Sequence, residues 1–285
     1  MDYSLTTFFT QTYFSGTASG ILPKAVSCAI MRKMTGSDNV KVYIQCLSDG
    51  TPMDYDVYNA CCGFREMGWE LAFFKDYSEL VVSHQKQDVI VGGIGMVRRR
   101  LKDFNIAIVD TDYPEILNDY YGRKIWISKV NMVNSNPDMW PVFIKPVENK
   151  KFIGRAIFST KDLIGCGSYY DDADVYCSEV VNFLSEYRVF IRYGKILDVR
   201  RYKGDFHLFP DITVIENCVN NYIDSPKGYA LDFGVTDKGK TLLIEVNNTT
   251  SLGSYGLFYI DYAKLISARW SELTGTEDEC AFDIR

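Results

Sequence analysis

From Lys41 onward, apolar and polar positions fall into a regular alternation of short and longer segments. "KVYIQCL", "ELAFFK", "DVIVGGI" and "NIAIVD" are short apolar runs that read as strands, while "DYDVYNACCGFREMG" and "MVRRRLKDF" read as helices. Strands alternating with helices predict an α/β unit with a largely parallel sheet. "VNSNPDMWP", with its asparagines, serine and two prolines, has the composition of a linker. Beyond it the pattern changes. "PVFIKPV", "GRAIFS", "YRVFIRYGKILDVRRY" and "YALDFGVTDKGKTLLIEVNN" are strands, several joined as hairpins, and a helix over about 257–273 closes the series. That order predicts an α+β domain on an antiparallel sheet. The first 38 residues are aromatic and rich in Ser, Thr and Gly without clear periodicity, and the acidic end "EDECAFDIR" is expected to be mobile.

Composition then narrows the chemistry. A chain of 285 residues with 47% hydrophobic and 24% charged positions is an ordinary globular protein with room for one large or two smaller domains. A net charge of −6 gives no support to a nucleic-acid-coating surface. The eight cysteines form neither C-x-x-C metal spacing nor a compact disulfide framework. The N-terminus lacks a basic region followed by an apolar core, and no apolar run has the length of a membrane span. A cytoplasmic protein in a reducing compartment is expected. With only His84 and His207 available, a histidine triad or multi-histidine zinc site is short of residues. Any chemistry rests on carboxylates, lysines and arginines.

The most telling stretch is "YALDFGVTDKGKTLLIEVNN". Read as a hairpin turning at "DKGK", it pairs Thr236 with Thr241, Phe233 with Ile244, and Asp232 with Glu245. Two carboxylates facing each other repel, and Asn247 shares the face of Glu245 two residues on. Either this face is solvated and the acids are surface charges, or a divalent cation sits over them with Asn247 as a third oxygen ligand. The apolar neighbours Leu242, Leu243, Ile244 and Val246 fit a buried strand and favour the cation, and hard oxygen ligands suit magnesium held with a nucleotide.

Cations are placed to complement it. Lys145 lies within the apolar strand "PVFIKPV", either as an edge-strand lysine or pointing at a phosphate. Lys150, Lys151 and Gly154 follow in a loop. In the hairpin around Tyr193–Gly194, a two-residue loop sets Glu186 opposite Arg201, and a longer one sets Arg188 opposite Arg200; the register stays open. A structural ladder of ion pairs is the alternative to a phosphate site.

"FIKP", a Lys/Gly loop, "SEVVNFLSEYRVFI" and "LDFGV…LLIEVNN", in this order, resemble the ATP-grasp superfamily. More narrowly, Glu186-Tyr187-Arg188-Val189-Phe190, Glu245-Val246-Asn247 and Gly253-Ser254-Tyr255-Gly256 resemble a clade of small bacterial and phage-associated ATP-grasp proteins. The likeness covers about residues 140–256 and extends more loosely to the α/β part. It implies a pre-ATP-grasp-like α/β domain (39–135) and an antiparallel ATP-grasp domain (136–276), flanked by an N-terminal arm (1–38) that it does not reach and by the acidic tail (277–285). It also implies that Lys145, Lys150, Gly154, Glu179, Val181 and Glu186 bind ATP and that Asp232, Glu245 and Asn247 hold Mg²⁺. Arg188, with Arg201 and Lys203, would stabilise the γ-phosphate and an acyl-phosphate. The implied activity is ATP-dependent carboxylate–amine ligation with release of ADP and phosphate. The substrates would be a small molecule, amino acid or peptide carrying a carboxylate, and an amine acceptor. A phosphotransferase or a non-catalytic ATP-binding module is the alternative. The Lys/Gly loop is shorter and poorer in glycine than in many relatives, and the match of Arg200 or Arg201 to the family's arginine is ambiguous by one position.

Overall fold

The computed structural model describes residues 40–108, 112–148, 151–167 and 170–282. The N-terminal arm (1–38) and Lys150 lie outside the described residues.

The first part is β1 (Val42–Gln45), α1 (Tyr55–Glu66), β2 (Leu71–Phe74), α2 (Tyr77–Ser83), β3 (Val89–Val91) and α3 (Ile94–Asp103). Its three strands form a parallel sheet in the order β2-β1-β3, with Val42 opposite both Leu71 and Val89. Asp54 starts α1 by accepting the Val57 N–H, and Asp76 starts α2 by accepting those of Ser78 and Glu79. Glu79 reaches back to the Lys75 N–H at 2.7 Å. The run "NIAIVD" does not continue the sheet among its described residues. Asn105 takes a left-handed φ of 59° at the end of α3, and the Ile106 N–H bonds to the Leu101 carbonyl. Ile106 and Ile108 instead pack against the core over the helix end.

The second part runs α4 (Asn118–Tyr121), β4 (Ile125–Lys129), α5 (Val130–Ser135), β5 (Val142–Pro146), β6 (Arg155–Ile157), β7 (Asp174–Ser178), β8 (Phe183–Arg192), β9 (Lys195–Gly204), α6 (Ile212–Asn221), β10 (Gly228–Thr236), β11 (Thr241–Asn248) and α7 (Tyr259–Thr274). Two antiparallel four-stranded sheets result, ordered β4-β7-β5-β6 and β11-β10-β8-β9. The segment expected as a linker is α5 followed by a 3-10 turn at Pro137–Met139. Its polar residues satisfy their own helix end, with Ser135 donating to the Asn131 carbonyl and Asn136 to that of Met132. Its Val133, with Val130 earlier in α5, is buried against the β4–β7 sheet.

Each sheet has its own apolar core, and the full burial of side chains such as Phe64, Ile144 and Phe233 contributes about 1.5–3 kcal/mol apiece. Helix α7 packs on the parallel sheet and crosses α1 at Gly63, where an added Cβ would lie 2.1 Å from the Tyr259 carbonyl oxygen. The chain end is docked rather than loose as far as Phe282. The buried Asp278 carboxylate accepts Arg192 Nη2 (2.7 Å), Tyr193 Oη (2.7 Å), Ser267 Oγ (2.6 Å) and the Cys280 N–H (3.0 Å), so burying Cys280 leaves no charge unpaired.

Bulges set the hairpin registers. Asp232 faces Glu245 as expected, but the register then slips, so that Phe233 faces Leu243 and Val235 faces Thr241. Ile244 is the extra residue, and Arg123 takes the carbonyls of Leu243 (2.8 Å) and Ile244 (2.7 Å). The β8–β9 turn has two residues, Tyr193 and Gly194, both at positive φ. Two bulges nevertheless place Arg188 opposite Arg200, Tyr187 opposite Arg201 and Glu186 opposite Lys203.

His84 gives the fold a pH dependence. It is buried, with Nδ1 accepting from Arg100 Nε (3.1 Å) and Nε2 donating to the Asp88 carbonyl (3.1 Å). Burial, with the Arg100 charge second, pushes its pKa from 6.5 down to about 3. The unfolded chain therefore takes up a proton that the folded chain refuses, and stability is lost as pH falls below about 6.5. In urea titrations, the advantage of the native protein over His84→Gln should shrink by about 2 kcal/mol between pH 7 and pH 5. An unchanged difference would mean that His84 takes up its proton as readily in the fold as in the unfolded chain.

Candidate functional site

A cleft of about 610 Å³ lies between the β4–β7 and β8–β11 sheets. Strand β5 contributes Phe143 and Lys145, β11 contributes Ile244 and Glu245, and the connection Glu179–Asn182 between β7 and β8 forms one edge. Gly154 borders it, and the approach is close: a Cβ there would lie 2.8 Å from the Phe143 ring.

Lys145 stands at the charged end. Its Nζ lies 2.6 Å from Glu245 Oε2 and 2.9 Å from Asp112 Oδ2, with the Tyr113 ring centroid at 5.8 Å. Burial disfavours its charge, but the two carboxylates outweigh burial and raise its pKa above the usual lysine value. Burial also pushes the Tyr113 hydroxyl up to about 12, so it stays protonated. Arg123 sits half-buried in the same cleft, and removal from water lowers its pKa.

Glu245 faces Asp232 across the β10–β11 ladder, yet the partner of Asp232 comes from the other side, where β8 sets Arg188 directly opposite. Arg188 makes a two-pronged pair, Nε to Oδ1 and Nη2 to Oδ2, both at 2.8 Å and both buried. Burial works against the charge of each partner. The carboxylate raises the Arg188 pKa, and the guanidinium opposes the upward push of burial on Asp232. Arg188 also donates to the Gly253 carbonyl at 3.3 Å and lies 4.8 Å from the Tyr255 ring and 5.8 Å from that of Tyr202. Those tyrosines stack with centroids 4.9 Å apart. Tyr202 lines the cleft, and burial, with Asp232 and Glu186 nearby, raises its pKa.

A second cavity, of about 250 Å³, meets the cleft at Lys145. Asp112, Arg188 and Asn247 line it together with the loop Thr250–Gly253. That loop is pinned from the α/β part by Asp56 Oδ1, which accepts both the N–H and the hydroxyl of Ser254 at 2.7 Å.

Most of the residues expected from sequence meet around these two cavities. Lys145, Gly154, Glu179, Val181, Glu186, Lys203 and Glu245 all line the cleft, and Lys203 pairs with Glu186 at 2.6 Å. Arg188 and Asn247 line the smaller cavity, and Asp232 lies buried beneath Arg188. Arg201 is exposed and donates to the Gly204 carbonyl, and Arg200 pairs with Asp198, so neither joins the cluster. Among the described residues, no group of three or more His, Cys, Asp or Glu side chains is placed to hold a metal ion. The oxygens of Asp232 and Glu245 are instead taken by Arg188 and Lys145. The donor set still suits a hard cation. The carboxylate oxygens of Asp232 and Glu245 and the side-chain amide oxygen of Asn247 come from neighbouring positions of one ladder. Sequence reasoning missed Asp112, Arg123, Tyr202 and the Asp56–Ser254 contact. Only Asp112 carried a signal, an acidic residue just past an apolar run.

Two antiparallel sheets closing on a cleft, one supplying a lysine and the other carboxylates, define the ATP-grasp fold. Over residues 120–265 the chain matches the model of an ATP-grasp domain, the second family of one clade of that superfamily, and it belongs to that family. D-alanine–D-alanine ligase from Bacillus anthracis complexed with ATP has the same fold, with a TM-score of 0.51 at 13% identity over 84% of this chain and 98% of that one. The ATP-grasp ligase PsnB, complexed with a phosphomimetic variant of a minimal precursor, Mg and ADP, gives a TM-score of 0.48 at 13% identity over 81% and 98% of the two chains. No curated protein matches the chain. Among the described residues no helix is long and apolar enough to cross a membrane.

Proposed function

We propose that the protein is an ATP-dependent ligase that joins a carboxylate to an amine. The observation that carries this reading is the meeting of two cavities at one lysine: a large cleft between the sheets and a smaller polar cavity share Lys145. A module that only binds a nucleotide needs the first cavity alone, whereas group transfer needs both, joined at the charges that stabilise the transferred group.

When bound, MgATP supplies the phosphoryl group that activates a carboxylate as its acyl phosphate. Lys145, Lys203 and the edge Glu179–Asn182 bind and orient the nucleotide in the cleft. Glu245, Asn247 and Asp232 would hold Mg²⁺, while Lys145 and Arg188, which pair with two of these acids, would provide the positive charge that phosphate oxygens require. Both cations are largely buried, with side chains 18% and 8% exposed, so their charges act with little screening by water. Arg188 cannot swing freely, because Asp232 grips two of its nitrogens. Arg123 keeps the bulge next to Glu245 in place by binding the carbonyls on either side of the slip.

The test is ADP release from MgATP across a panel of amino acids and peptides, with mass analysis of the products. One or more carboxylates should stimulate release and yield an amide, and Glu245→Gln should reduce the stimulated rate at least about 100-fold, the loss expected for a group that stabilises transferring charge. A stable phosphorylated product would identify a phosphotransferase. Absence of stimulation by every carboxylate, with Glu245→Gln leaving basal turnover unchanged, would overturn the ligase reading.

A further inference from the structure

The smaller cavity carries more binding capacity than a reacting carboxylate uses. Helix α3 begins at its wall with Ile94, after Gly93, with no side-chain cap and no acid in its first turn. The first intrahelical bonds are those of Met96 and Val97 to the Gly93 carbonyl. The N–H groups of Ile94 and Gly95 therefore precede the helix's own ladder, at the positive end of its dipole. A helix end alone proves little, but a second observation lies in the same wall. Thr250 is 8% exposed, and its hydroxyl is buried without a hydrogen-bond partner among the described residues. A hydroxyl left so is destabilising, a penalty that a valine of the same shape would avoid. Asn247 Nδ2 is a further buried donor without a partner among the described residues. Lys145 and Arg188 complete the lining, and the one carboxylate in it, Asp112, is already held by Lys145 at 2.9 Å.

Donors and cations of this kind select an anion. We infer that the N-terminus of α3 and the Thr250 hydroxyl form a subsite for a second anionic group on the substrate, distinct from the carboxylate that reacts beside Lys145. The substrate class is a small acid with a carboxylate or phosphate at its far end. A cavity of about 250 Å³ admits one such molecule or one residue's side chain. The assignment of the reacting end rests on the ligase reading; the anion subsite does not.

The test is a titration of the ¹⁵N-labelled full chain in the presence of MgADP with glutarate, butyrate and inorganic phosphate. Glutarate should shift the Ile94 and Gly95 amides with an affinity about tenfold or more above that of butyrate, the worth of one hydrogen bond to a charged group. Displacement of glutarate by phosphate would identify a phosphate-bearing substrate, and failure to displace it a diacid. Thr250→Val should weaken glutarate about tenfold without lowering Tm or changing MgADP affinity. Gly95→Asp, at a position where a new side chain meets open space, should place a carboxylate on the helix end and abolish glutarate binding in a folded chain. Equal binding of glutarate and butyrate with the Ile94 and Gly95 amides unmoved would overturn the subsite, as would wild-type glutarate affinity in both variants. ADP release that no carboxylate stimulates, alongside a successful titration, would remove the ligase reading and leave the subsite standing.

Discussion

Arg188→Met is expected to lower the stability of the folded chain by about 3–5 kcal/mol, because it leaves the Asp232 carboxylate buried without its cation. The size follows from the asymmetry of buried pairs. Desolvation of Asp232 is already complete in the fold, and the two contacts at 2.8 Å are what offset it. At roughly 2–4 °C per kcal/mol for a chain of this size, Tm should fall by about 10 °C. The companion double variant, Arg188→Met with Asp232→Leu, should regain most of the loss, since an apolar pair of similar volume carries no desolvation penalty. Thermal melts and urea titrations of the two single variants and the double variant read the coupling directly. If Arg188→Met alone melts like the native protein, the pair contributes nothing and the Asp232 carboxylate is satisfied without Arg188. The double variant separates fold from function as well. It should be stable yet inactive, because the charge facing the smaller cavity is gone.

How much of the site is legible in the sequence depends on how local each cause is. The hairpin that brings Asp232 and Glu245 face to face can be read from "DKGK" and strand alternation, because a turn and two strands within one short stretch set their own register. The slip one residue later cannot be, because Arg123 holds the bulged carbonyls from 121 positions away. The same limit applies to the acids. Facing carboxylates announce that a cation is required, but the cations present, Arg188 and Lys145, come from β8 and from the other sheet. Arg200 and Arg201 show the converse: the register of β8 and β9 depends on two bulges, and in the fold both arginines find partners outside the cluster. Helix α2 escapes a reading by apolar runs although Asp76 and Glu79 cap it in plain sequence. "NIAIVD" reads as a strand, yet Ile106 and Ile108 pack on the core next to α3, and in sequence apolar residues that pack there look like ones that pair. Asp56 and Ser254, 198 positions apart, carry no sequence signal for their contact, yet it ties the α/β part to the loop beneath Arg188.

Lys145→Met is expected to have the largest effect on ligand binding and to reverse the local response to pH. In the native chain one ammonium serves two acids, Glu245 and Asp112, and its raised pKa means that its contribution is fully present below about 10.5 and is lost only as pH rises through the folded value. Methionine keeps the length and apolar stem but leaves the two carboxylates facing each other. Mutual repulsion then raises the pKa of one of them above its unfolded value. The folded variant binds a proton that the unfolded chain does not, so its stability falls as pH rises from about 5 to about 7, a loss the native chain does not share. Nucleotide affinity should fall about 100-fold, the loss of one or two charge-assisted hydrogen bonds in a poorly screened cleft. Adding Glu245→Gln to the same chain should remove the pH response by removing one of the repelling charges, without restoring nucleotide affinity. Urea titrations at pH 5 and pH 7 and nucleotide titrations with and without Mg²⁺ separate the two effects. Native nucleotide affinity in Lys145→Met would move the phosphates elsewhere in the cleft, and a pH response equal to that of the native chain would show that the two acids do not sense each other.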